Sequence, residues 1–250
     1  MSDPGDFASA LRDATGQLGE VVALQPGLLV PSCPGWTVER LVVHVGRIQQ
    51  WVATALLAPD PGPVDPISRP AVGTDLSAWI TTGAEQLLDA LDQVGPTGAV
   101  RAPGWENSAA WWQRRMTHET VIHAWDAGSA AGMAPKIDRW LATDGIDEAL
   151  NELAPVRLDR TTFGVAATIH LHCTDTPEGA EPQTPDAGEW LLTIGPDLVT
   201  TARVHGKGDV AVRAAASDLL LWVWGRTNAD GLEIFGDAEI LGRYQAATNY

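Results

Sequence analysis

The hydrophobic pattern of this 250-residue chain changes period once, near Ala154-Pro155, and that change limits the folds open to it. Upstream, apolar residues recur at helical spacing. Residues 6–24 carry Phe7, Leu11, Leu18 and Val22, and residues 38–57 carry Leu41, Val45, Ile48 and Val52 behind Thr37, a good N-cap. Residues 76–94 carry Trp79, Ile80, Leu87, Leu88 and Leu91. A fourth helix is expected from Ser108 to Ala127, stopping at Gly128, and a fifth over 138–153. Pro26, Pro31 and Pro34-Gly35 break the first pattern, and the stretches 58–73 and 96–104 read as loops. Downstream, Thr161 to Cys173 alternates, and 189–194, 198–204 and 209–214 read as further strands, with short helices over 217–225 and 237–247. The expected architecture is α followed by α+β: a four-helix bundle over 1–155 and a small α+β domain over 156–250.

Composition narrows the function classes. A formal charge of −16 argues against nucleic acid and anionic membranes, both of which need clustered Lys and Arg. No apolar run approaches the roughly 18–20 residues that cross a bilayer. Only Cys33 and Cys173 occur, far apart, which argues against a secreted disulfide scaffold, and a reducing cytoplasm is expected. The acidic N-terminus does not read as an export signal. A small-molecule partner, with the chain a monomer or small homo-oligomer, is the remaining expectation. Two lysines, Lys136 and Lys207, stand against fourteen arginines, a bias of GC-rich genomes.

The chemistry concentrates in His118-Glu119-Thr120-Val121-Ile122-His123-Ala124-Trp125-Asp126. Residues four apart on a helix are rotated by about 40°, so Glu119 and His123 share a face. A carboxylate and an imidazole are donors that zinc accepts at about 2.0–2.2 Å. His118 lies about 140° away from His123 and is not a co-ligand. The spacing also departs from the His-Glu-x-x-His of zinc proteases. His44, at the edge of its helix's apolar stripe, is the best third donor. Three protein ligands leave a coordination position open, as catalytic zinc sites do. Asp126, three residues past His123, is placed to orient an imidazole or to substitute as a ligand. The plain alternative is a surface Glu/His hydrogen bond and a core histidine bonded to a carbonyl. Cys33 reads as a buried structural thiol, and His170 and His172 as structural residues of one strand face.

Two segments resemble the mycothiol-dependent maleylpyruvate isomerase family. One is Val30-Pro31-Ser32-Cys33-Pro34-Gly35-Trp36-Thr37-Val38, followed by Leu41-Val42-Val43-His44-Val45-Gly46; the other is the His118 to Ala127 segment. Two downstream stretches, His170 to Asp175 and Asp218 to Arg226, are similar to the family's C-terminal domain. The resemblance implies a DinB-like helical bundle with a zinc site, followed by a sterol-carrier-like domain. It implies His44, Glu119 and His123 as ligands, and mycothiol, a thiol of high-GC actinobacteria, as cosubstrate. The activity expected on that basis is attack of a metal-activated thiolate on an electrophilic small molecule, as a transferase or a cis-trans isomerase. Arg226, at the end of a Trp-rich helix, is the candidate for stabilising a substrate carboxylate or enolate, and an ordinary helix-end cation is its alternative. Two rival functions stand beside this one: a non-catalytic metal- and small-molecule-binding protein, and a zinc hydrolase with Asp126 or His118 as base.

Overall fold

A computed structural model of the chain describes residues 4–58, 66–102, 105–133, 135–179 and 187–248. These divide into two compact units, Met1–Pro135 and Lys136–Tyr250. In the first, helices α1 (Pro4–Leu24), α2 (Val38–Leu57) and α3 (Leu76–Val94) are followed by strands β1 (Ala99–Ala102) and β2 (Trp105–Ser108) and by α4 (Ala109–Ala130). Each helix after the first is capped by a side chain: Thr37 accepts from Arg40 N, Asp75 from Ser77 N and Ala78 N, and Ser108 from Trp111 N. The apolar stripes meet in one core, where Leu11, Val52, Leu56, Leu87, Leu91, Trp112 and Met116 pack together. Helix α1 lies against α3 and α4, and α2 against α3.

Two expectations are corrected here. The stretch 96–104, expected as a loop, contains β1, which pairs antiparallel with β2 from Ala99↔Ser108 to Ala102↔Trp105; residues 103 and 104 lie outside the described set. Four-residue strands are too short for alternation to register. Helix α4 does not stop at Gly128. It runs through it, with Gly128 packed close against Pro135, and Gly132 at φ 79° makes the turn instead, with Met133 N bonded to Gly128 O at 2.9 Å. Of the loop expected over 58–73, residues 59–65 fall outside the described set.

The second unit begins at Lys136, ahead of the change of period near residue 155. Helix α5 (Arg139–Glu148) passes into a π-helical turn, Ala149–Leu153, and two single turns, α6 (Ala154–Arg157) and α7 (Arg160–Phe163). Strands β3 (Ala167–Cys173), β4 (Glu189–Ile194), β5 (Val199–Ala202) and β6 (Val210–Ala214) follow, then α8 (Ala216–Val223), β7 (Glu233–Gly236) and α9 (Glu239–Ala247). The sheet order is β5-β4-β3-β6-β7; β3 and β6 are parallel and the other pairs antiparallel. β7 has no counterpart in the sequence expectation. Ile169, Leu171, Trp190, Leu192, Val210 and Val212 point into a core shared with Trp222 and Tyr244, whose rings stack at 5.4 Å. The fifth helix packs on α8 and its π turn on β5, so its apolar face serves this unit. Among the described residues no helix is long and apolar enough to cross a membrane.

Candidate metal centre

The segment before α2 folds back on itself. Leu29 and Thr37 form an isolated antiparallel bridge, Val30 N bonds Trp36 O, and Gly35 takes φ 79° at the turn. This closed loop presents Ser32 and Cys33 toward α4 and delivers the chain to the Thr37 cap. About two turns later, His44 emerges beside Trp36, edge-on at 4.9 Å, while Arg40 lies over the same indole at 4.8 Å.

Helix α4 carries Arg115, Glu119, His123 and Asp126 at spacings of four, four and three, which is one continuous face. His123 Nε2 lies 3.3 Å from Glu119 Oε1, and His44 Nε2 reaches the same oxygen at 3.5 Å. The two imidazoles stand edge to face at 5.4 Å. One ligand atom from each of the three residues lies within 4.8 Å of the others. The other oxygen of Glu119 is held by Arg115 Nη2. On the far side of His123, Nδ1 is 2.9 Å from Asp126 Oδ2, and Asp126 is fully buried. Ser32 Oγ donates to Asp126 Oδ1 at 2.6 Å, and Cys33 Sγ to Oδ2 at 3.6 Å. Burial by itself would raise the Glu119 carboxyl, but the Arg115 charge and the two histidines outweigh it and hold it well below the usual range. Burial likewise opposes the charged form of His123, yet Asp126, Cys33 and Glu119 prevail and raise it well above an ordinary imidazole.

Comparison with known proteins bears on this centre. The mycothiol maleylpyruvate isomerase N-terminal domain matches residues 7–128, and the C-terminal domain of the same isomerase matches residues 141–243. The chain belongs to the mycothiol maleylpyruvate isomerase family. The crystal structure of the mycothiol-dependent maleylpyruvate isomerase superposes with a TM-score of 0.57 at 15% identity, covering 93% of each chain. A single-site variant of that enzyme gives 0.61 at the same identity and coverage. At that identity the likeness establishes the fold. No curated protein sequence matches the chain.

Within this family framework, the remaining candidates fall as follows. His118 is buried and meets Phe7 edge-on at 5.9 Å, a packing position in the bundle. Arg226 belongs to the second unit, where Nη1 donates to Trp224 O at 2.9 Å and the guanidinium lies 5.8 Å from the Trp224 ring. Both contacts are to Trp224, the residue that ends α8. Cys173 is buried, and burial first, with Asp175 beside it, pushes its thiol up to about 12, so it is a poor nucleophile. Three participants are absent from the sequence expectation. Arg115 had a usable signal, its i,i+4 spacing to Glu119. Ser32 had none, since only loop closure brings it to Asp126. Arg47, one turn past His44, lines with it a cavity of about 250 Å³ walled by Ile48, Trp51, Pro66 and Ile67. Its Nε donates to Ile67 O at 2.6 Å.

Proposed function

We propose that the chain is a metal-dependent thiol enzyme, with zinc held by His44, Glu119 and His123, that adds mycothiol to an electrophilic small molecule. The observation that carries the reading is the convergence of two Nε2 atoms on one carboxylate oxygen, with the opposite nitrogen of His123 already committed to a buried Asp126. Two imidazoles and a carboxylate form a donor set that suits zinc. Zinc bound there supplies the positive charge that favours a thiolate over a thiol.

The chain's own residues prepare that chemistry. Asp126 fixes the His123 tautomer so that Nε2 is the free donor, and Arg115 orients Glu119 through its second oxygen. His44 opens onto the cavity that Arg47 lines, and there the Arg47 guanidinium faces the carboxylate or developing enolate of a bound electrophile. Addition of the thiolate to a cis double bond conjugated with a carbonyl turns it into a single bond. Rotation and elimination then return the thiolate with a trans product, whereas protonation of the enolate carbon by water and release of the adduct make the reaction a transfer. A hydrolase is disfavoured because both candidate bases are engaged elsewhere, Asp126 with Ser32, Cys33 and His123, and His118 against Phe7.

The test is metal analysis with spectroscopy. His44→Ala and His123→Ala are each expected to lose one equivalent of zinc relative to the parent. Mycothiol added to cobalt-substituted protein is expected to raise a sulfur-to-metal charge-transfer band that His44→Ala lacks. Full metal retention in both variants, or a spectrum unmoved by saturating thiol, would remove the reading.

A further inference from the structure

We propose that the second unit carries a metal site of its own, for a divalent transition ion of the zinc class, built from His170, Glu189 and His205. The sheet register assembles it. Ile169, Leu171 and Cys173 of β3 face the core, so Thr168, His170 and His172 face the other way. Antiparallel pairing sets Glu189 of β4 directly across from His172. The third element is the segment after β5, which is tied at both ends: Arg203 bonds Asp147, and the Asp209 carboxylate accepts from Thr168 N and Thr168 Oγ1, each at 2.8 Å. Between those anchors, His205 is brought over the sheet.

Three imidazoles then surround one carboxylate. His205 Nδ1 lies 2.8 Å from Glu189 Oε2, His170 Nε2 lies 3.6 Å from the same oxygen, and His172 Nδ1 lies 3.6 Å from Oε1. The His170 and His205 rings meet edge to face at 5.3 Å. One donor atom from each of His170, Glu189 and His205 lies within 4.8 Å of the others. Arg213, the same-face neighbour of His172 on β6, is drawn to Glu233 at 3.4 Å.

A hydrogen-bonded His/Glu cluster would account for His205, but not for His170. That residue is only 4% exposed, and its Nε2, aimed at Glu189, makes no hydrogen bond among the described residues. A buried ring nitrogen that faces a carboxylate at 3.6 Å without a hydrogen bond is rare, and a metal ion between them satisfies it at the place where a second imidazole already converges. Nitrogen and carboxylate donors of this kind select zinc, nickel or copper over calcium and magnesium.

The experiment titrates zinc into chelator-stripped, full-length protein against a chromophoric competitor. The parent, His44→Ala, His205→Ala and Glu189→Gln are compared. The His205 side chain is 79% exposed, so its replacement leaves the fold intact, which an unchanged thermal melt of the stripped protein verifies. The expected result is one equivalent that survives in His44→Ala and is weakened at least about 100-fold in both His205→Ala and Glu189→Gln. If His44→Ala abolishes all binding, or if His205→Ala and Glu189→Gln bind as the parent does, the second site is overturned. Failure of the thiol-enzyme reading would look different: His44→Ala would bind as much zinc as the parent.

Discussion

Asp126 shows how much of the metal centre depends on a residue outside the ligand set. Both of its oxygens accept, Oδ1 from Ser32 and Oδ2 from Cys33 and His123, and it has no access to water. Asparagine has the same shape but a single acceptor. In Asp126→Asn, one orientation opposes the amide to Ser32. The other places the amide against His123 Nδ1, which moves the ring proton to Nε2 and removes the lone pair a metal needs. Asp126→Asn is therefore expected to weaken zinc binding about 10- to 100-fold and to lower stability by about 1–3 kcal/mol. Competition titration and urea unfolding measure the two effects. Parent-like zinc affinity would show that His123 is not oriented through this carboxylate.

At the scale of elements, what decides the placement of His44 is the crossing of α2 and α3. Gly46, two residues past His44, is buried there, and a Cβ at that position would drive into the indole of Trp79. Gly16, exposed in the middle of α1, has nothing within 4 Å of a built Cβ. Gly46→Ala is expected to destabilise by about 1–3 kcal/mol through overpacking. Gly16→Ala is expected to be neutral or to stabilise by up to about 1 kcal/mol through helix propensity. Chemical denaturation separates them, and equal effects would mean that the helix crossing yields to the extra methyl. The same contrast explains what the sequence reveals. The stripes and the Thr37 cap mark α2 and α3 because period and capping are local. Helical spacing likewise puts Glu119, His123 and Asp126 on one face. β1, β2 and β7 are four residues each, too short for alternation. Ser32 against Asp126, and His205 against Glu189, are juxtapositions made by loop closure and strand register, and no local pattern encodes them.

For the whole molecule, the decisive matter is where one folding unit ends. The hydrophobic period changes near residue 155, but packing changes at residue 136, and Asp147 explains the difference. It lies in α5, yet its carboxylate accepts from Arg203 Nε at 2.7 Å and from Trp190 Nε1 at 3.3 Å, both on the sheet side of the second unit. The π turn adds Leu150 O, which accepts from Thr201 Oγ1 at 3.0 Å, and Ile137 N donates to Ser217 Oγ at 3.1 Å. A fragment spanning 136–250 keeps all of these bonds. A fragment spanning 156–250 lacks them and leaves the buried Trp190 N–H and the Arg203 guanidinium without their carboxylate. Breaking a buried ion pair costs about 3–5 kcal/mol, and the partial exposure of Arg203 reduces that toward the lower end. Loss of the α5 apolar face against α8 adds to it, against a total stability of about 5–15 kcal/mol for a domain. The longer fragment is expected to unfold cooperatively in urea with native-like tryptophan near-ultraviolet dichroism. The shorter one is expected to lack that dichroism and to bind hydrophobic dye. A shorter fragment as stable as the longer would return α5 to the first unit. A longer fragment without a cooperative transition would show that the second unit does not fold alone.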